Sequence, residues 1–117
     1  MTAVIFADSP ARYTELRDLI KETAPQIQVL PEITEETYRM ADRAGCDIEI
    51  VAMNGARGME LVLDHRSREK LKRSKLIWIS DYKYFAGAAI REEVFCFMLN
   101  SLSEDEFRNV IRRVAQS

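Results

Sequence analysis

The sequence predicts an α/β three-layer sandwich: five short parallel strands in one sheet, with helices on both faces, forming a single domain over residues 1–117. Three observations carry this. Short apolar runs alternate with helix-period stripes along the whole chain. The run Ala3-Val-Ile-Phe6 is unbroken, as in a strand buried on both faces. Near the end, Ser103-Glu-Asp-Glu106 forms a capping box, and Phe107, Val110, Ile111 and Val114 follow at i, i+3, i+4 and i+7.

The elements follow in order. Ala3–Phe6 is the first strand. Ser9 suits an N-cap and Pro10 the first helical position, where its missing N–H costs nothing. Tyr13, Leu16, Leu19 and Ile20 give that helix one apolar stripe, and Pro25 follows its end. Gln26–Leu30 alternates polar and apolar residues, which predicts an edge strand. A second helix is expected from Thr34 to about Ala44, with Glu35 and Glu36 complementing its dipole and Gly45 ending it. Ile48–Met53 is the third strand. A third helix is expected to start near Gly58 and to carry Met59, Leu61, Val62 and Leu63. Leu76–Ile79 is the fourth strand, ending at Ser80 and Asp81. Tyr82–Glu93 is expected to be helical, and Val94–Leu99 is the fifth strand. Right-handed crossovers place helices one and five on one face and the other three opposite, giving strand order 2-1-3-4-5.

Composition narrows the function. The 117 residues are 47% hydrophobic and 31% charged, with net charge −2, an ordinary globular balance. Nothing in the whole-molecule field draws the chain to nucleic acid or membrane. No apolar run approaches the roughly 18 residues of a membrane span. The first strand begins almost at Met1, so no signal peptide is expected and a cytoplasmic location is. Cys46 and Cys96 are isolated and read as free thiols in a reducing compartment. A single histidine, His65, argues against a His-based metal site or a Ser-His relay.

In an open parallel sheet the chemistry sits where strands end and loops begin. Ala3–Pro10 (AVIFADSP), Leu76–Asp81 (LIWISD) and Phe97–Phe107 (FMLNSLSEDEF), in this order and spacing, resemble the receiver domain of bacterial response regulators, which has a flavodoxin-like (βα)5 fold. The likeness covers nearly the whole chain. It implies a signalling module whose usual chemistry is phosphoryl transfer, with magnesium, from a kinase phosphohistidine to an aspartate. The positions that carry this chemistry have changed. The resemblance places the phosphoacceptor on Ala52, which has no nucleophile. The acidic pair after the first strand is reduced to Ala7-Asp8, so Asp8 is a remnant acid. The cationic lysine falls on Asn100 and the following proline on Ser101. The hydroxyl falls on Ser80 and the switch aromatic on Phe97, and both are kept. The loop after Ala52 is about two residues short and lacks the family's Met-Pro step.

The expectation is a pseudo-receiver: no enzyme, no catalytic residue, no metal site and no cofactor beyond weak magnesium at Asp8, acting by protein contact. Two alternatives stay open. One is an atypical phosphoacceptor using Asp8 or Glu49. The other is a small-ligand-binding flavodoxin-like domain, in which Asp8, Asn54, Ser80 and Asn100 converge on one polar pocket. No Gly-rich loop follows the first strand, which weakens flavin or nucleotide binding. Three aromatics in four residues, Tyr82, Tyr84 and Phe85, cannot all face inward on a helix. With Arg108 and Arg112 they are interface candidates for a protein partner or homodimer, through the face of the fourth helix, fifth strand and fifth helix. The run His65–Lys75 holds six Lys or Arg residues but no aromatics and reads as a solvated face, so no direct nucleic-acid contact is expected.

Overall fold

The computed structural model describes residues 1–32, 45–68, 71–100 and 103–116. It contains one five-stranded parallel sheet in the order β2-β1-β3-β4-β5. The strands are β1 (Thr2–Ala7), β2 (Gln28–Val29), β3 (Ile48–Ala52), β4 (Lys75–Ser80) and β5 (Cys96–Leu99). The helices among the described residues are α1 (Pro10–Thr23), α2 (Gly55–Ser67), α3 (Ala86–Arg91) and α4 (Glu104–Gln116). The helix expected over 34–44 lies outside the described residues, so α2, α3 and α4 are the third, fourth and fifth helices of the sequence reading. Among the described residues no helix is long and apolar enough to cross a membrane.

Strand alternation builds two cores. Ala3, Ile5, Ile48, Ile50, Ile77 and Ile79 face α1 and α4, where they meet Leu16, Ile20, Phe107 and Ile111. Val4, Phe6, Val51, Leu76 and Trp78 point the other way, toward Val62, Ala88 and Ala89. The predicted stripes of α1 and α4 are the buried residues of those helices. Ser9 Oγ accepts the Arg12 amide at 3.2 Å and Ser103 Oγ accepts the Glu106 amide at 3.3 Å, as their N-cap positions require.

Three elements differ from expectation. β2 shrinks to two residues, which pair with Thr2 and Ala3, and the pairing stops there while β1 runs on to Ala7. α2 begins at Gly55, not near Gly58, and its buried residues are Gly58, Val62 and His65, while Leu63 faces solvent. Gly58 has a packing reason: a Cβ there would lie 2.1 Å from the Met53 carbonyl oxygen. The segment after β4 is no continuous helix but a 3-10 turn, Lys83–Phe85, followed by the short α3.

α3 ends in a Schellman motif built on a non-glycine residue. The Val94 N–H donates to Ala89 O at 3.1 Å and the Glu93 N–H to Ile90 O at 3.2 Å. Glu93 takes φ 54, the left-handed region that favours glycine. Arg66 braces this corner from α2, donating to Glu92 O at 3.0 Å and to Ser74 O at 3.2 Å. Part of the basic run therefore ties elements together.

Candidate functional site at the carboxyl edge of the sheet

β1, β3 and β5 all end on one edge, and their last residues set the site. Ala7 pairs with Ala52 across β1 and β3, so two methyl groups stand side by side where the strands stop. The loop from Ala52 to Gly55 is held by two carboxylates. Asp8 Oδ2 accepts the Asn54 amide at 2.9 Å, and Asp81 Oδ1 accepts the Gly55 amide at 3.0 Å. These amides open α2 and have no partner within the helix, so a carboxylate from a neighbouring strand end satisfies each of them. Asp8 thus serves the start of α2, not the start of the first helix.

Side-chain hydrogen bonds link the other strand ends. The Asn100 carboxamide nitrogen donates to Asn54 Oδ1 in a short contact, and Arg12 Nη2 donates to Asn100 Oδ1 at 3.5 Å. Arg12 also pairs with Glu15 at 3.0 Å. The chain Arg12–Asn100–Asn54, continued through the Asn54 amide to Asp8, joins α1, β5, the loop after β3 and β1. Asp8, Arg12, Ala52, Asn54 and Asn100 line an open depression of about 340 Å³.

Sequence reasoning foresaw Asp8, Asn54 and Asn100 in this place and missed Arg12 and Asp81. Arg12 reads locally as a polar residue in the first turn of α1; only the placement of α1 beside the end of β5 brings it to Asn100 at the edge. Ser80 differs from its expected placement. It is buried and does not line the depression. Its hydroxyl accepts the Tyr82 amide at 3.3 Å and donates to Asp81 Oδ1 at 3.4 Å, which links it indirectly to the α2 start. Phe97 packs edge-on against Trp78, with ring centroids 5.2 Å apart at 82°.

Glu49, considered as an alternative acceptor, lies in the core near the start of β3 and away from the carboxyl edge. Its side chain is 0% exposed and lies among the residues facing α2. There Glu49 Oε1 meets His65 Nδ1 in a short contact and Oε2 accepts Ser74 Oγ at 3.1 Å. His65 is also 0% exposed, and Phe6 abuts its ring edge-on at 4.8 Å. The serine hydroxyl contacts the carboxylate and the Leu71 carbonyl, and the buried group ties β3, α2 and the start of β4 together.

Among the interface candidates, Tyr82 is 48% and Tyr84 69% exposed, and Ile90 of α3, which the sequence did not single out, is 79% exposed. Tyr82 lies edge-on to Tyr84 at 5.3 Å, and Lys83 Nζ sits 5.1 Å from the Tyr84 ring centre. Phe85 differs from the other two: its ring stacks on Trp78 at 5.3 Å and is partly buried. Arg108 also differs. It pairs with Glu22 of α1 at 3.6 Å and with Asp105 at 3.0 Å, so it bridges α4 to α1 instead of rimming the α3 face. Arg112 is exposed and donates to Asn109 at 2.8 Å. Both thiols are free and half-buried. Burial, then the nearby Glu49 and Asp47 charges, pushes the Cys46 thiol up to about 12. Burial also raises Cys96, with Arg113 opposing.

Comparison with known proteins places the fold. No description of a protein family matches the chain, and no curated protein matches it in sequence. Solved structures do match in shape. The response regulatory domain of protein mrkE from Klebsiella pneumoniae matches with a TM-score of 0.80 at 16% identity, covering 99% of this chain and 96% of that one. A signal receiver domain of a two-component histidine kinase from Clostridium thermocellum gives 0.78 at 14% identity, covering 99% and 98%. The receiver domain of a sensor histidine kinase from Pseudomonas aeruginosa gives 0.72 at 14% identity, covering 99% and 98%. The chain therefore has the flavodoxin-like fold of response-regulator receiver domains.

The Pseudomonas aeruginosa domain carries magnesium in its active-site cleft. In this chain the depression is lined by one carboxylate, Asp8, already engaged by the Asn54 amide. Among the described residues no group of three or more His, Cys, Asp or Glu side chains could hold a metal. A hard divalent cation needs more anionic oxygen than this. The residues do not fit a resident magnesium ion and leave only a weak, water-rich association at Asp8.

Proposed function

We propose that the chain is a non-enzymatic regulatory module on the receiver fold that signals by protein contact and is not phosphorylated at the usual position. The observation that carries this is Ala52. The strand end where the resemblance puts an acceptor carboxylate presents a methyl group, and Asn100 stands where a lysine would meet phosphoryl oxygens. The polar chain Arg12–Asn100–Asn54 joins the same loops by side-chain contacts alone. The exposed Tyr82, Tyr84 and Ile90 supply an apolar, partly aromatic surface of the kind that anchors protein contacts. A partner seated there would press on the Tyr82–Phe85–Trp78–Phe97 ring stack and so reach the Ser80 region.

The test is incubation with acetyl phosphate and magnesium followed by intact-mass measurement. The expected result is no gain of a phosphoryl group. A gain that is lost in Asp8→Asn would overturn the reading in favour of an atypical acceptor. Sedimentation across a concentration series, alone and with Tyr84→Ser, tests the contact surface in its self-association form.

A further inference from the structure

The depression at the carboxyl edge has a charge pattern that selects one class of small molecule. Its lining holds one carboxylate (Asp8), one guanidinium (Arg12), two carboxamides (Asn54, Asn100) and the Ala52 methyl. A divalent cation meets too few anionic oxygens there. A dianion gains from Arg12 but also faces the Asp8 carboxylate. A simple monoanion or monocation satisfies one of the two charges and is repelled by the other. A ligand that carries both charges meets both.

The groups are available for this. Asp8 uses Oδ2 for the Asn54 amide, and Oδ1 has no protein donor among the described residues. Arg12 spends one bond on Glu15 and a long one on Asn100, which leaves most of its N–H donors open. The carboxamides add neutral donors and acceptors around the two charges. The volume of about 340 Å³ is that of a small-metabolite site. A second cavity of about 70 Å³ shares Arg12 and Asn100 and is walled on its apolar side by Leu16, Ile79, Met98 and Phe107. Glu15, Ser103 and Glu104 line its other side, and the apolar side has room for a short aliphatic group.

We infer that the depression binds a small zwitterion of the free amino acid type, its carboxylate at Arg12, its ammonium at Asp8 and a short apolar side chain directed between α1 and β5. This rests on the reading that Ala52 leaves the edge without an acceptor. Such a ligand would bridge α1, β1 and β5, the elements that the Arg12–Asn100–Asn54 chain already connects.

The experiment is an amide NMR titration of the whole chain with L-valine, following the Asn54 backbone amide and the Asn54 and Asn100 carboxamide signals. Acetate, methylamine and inorganic phosphate serve as separate probes. The expected result is saturable shifts at these signals with L-valine and none with the three probes that carry charge of one sign only. Arg12→Met and Asp8→Asn should each weaken binding by about tenfold or more, the worth of one charge-assisted contact, and Arg12→Lys should restore part of it. No saturable shift with wild-type protein overturns the inference, as does equal binding of acetate or methylamine. The two readings fail separately: phosphoryl gain by mass defeats the regulatory reading, whereas a missing valine response without phosphoryl gain defeats only the ligand.

Discussion

The buried Glu49–His65–Ser74 cluster makes the sharpest energetic prediction. Glu49 and His65 are 0% exposed, so neither can exchange its partner for water. Ser74 Oγ lies 3.1 Å from Glu49 Oε2 but also 2.7 Å from Leu71 O. One hydroxyl proton serves one acceptor at a time, and the closer carbonyl competes for it. His65 is therefore the principal partner of the carboxyl group. His65→Leu leaves that group in the core with a shared serine, and removing one member of a buried pair costs about 3–5 kcal/mol. Glu49→Met leaves the imidazole short of one bond, at about 1–3 kcal/mol. The double replacement removes both polar groups and keeps the volume, so it should recover most of the loss. With a urea slope of about 1–3 kcal/mol per molar, His65→Leu should lower the unfolding midpoint by roughly 2 M, and Glu49→Met/His65→Leu should bring much of that back. Urea unfolding of the four proteins measures the cycle. A His65→Leu cost below about 1 kcal/mol, or a double variant no more stable than His65→Leu alone, would refute the reasoning.

Three further outcomes follow from local geometry. Gly58→Ala should destabilise by about 1–3 kcal/mol or more, since its methyl meets the Met53 carbonyl at 2.1 Å; thermal unfolding checks this, and an unchanged Tm counts against it. Glu93→Gly should stabilise by about 0.5–1 kcal/mol, because φ 54 suits glycine, and should raise Tm by about 2–5 °C. The Cys46 thiol, raised from its ordinary 9.0 to about 12, favours the folded state in its protonated form. That contribution is fully present below pH 9 and is lost as pH rises toward 12. Urea midpoints stepped through this window should fall less steeply in Cys46→Ala than in wild type.

The sheet was legible because its signals are local. The run Ala3–Phe6, the α1 stripe and the α4 capping serine each declare themselves within a few residues, and their alternation fixes the topology. The features that were not legible depend on what the topology brings together. Asn54 and Gly55 begin α2 early because carboxylates 46 and 26 residues away in sequence meet their amides. Glu49 interrupts an apolar strand, and His65 sits on the buried side of α2 with Gly58 and Val62. Those two departures were the available signal for a buried pair, yet only the β3–α2 packing joins them. The segment after β4 misled because Tyr82, Tyr84 and Phe85 have different duties. Phe85 covers Trp78, and the tight turn that aims it there breaks the helix before Ala86.

The changes at the carboxyl edge form a consistent set. An acceptor carboxylate at position 52 would add charge beside Asp8 and call for a cation. With Ala7 and Ala52 side by side, that need disappears, and Asp8 and Asp81 are free to hold the two amides that start α2. A lysine at position 100 would then lack phosphoryl oxygens to meet. Asn100 instead donates to Asn54 and accepts from Arg12, so both ends of its carboxamide are used. The positive charge at this edge comes from α1, where Glu15 partly balances it. A polar group left unmatched at such an edge costs stability. Here Arg12, Asn54 and Asn100 find partners in one another, and they come from α1, the loop after β3 and the end of β5. The edge is a hydrogen-bonded junction of α1, β1, the end of β5 and the start of α2, so a contact made there bears on several elements at once.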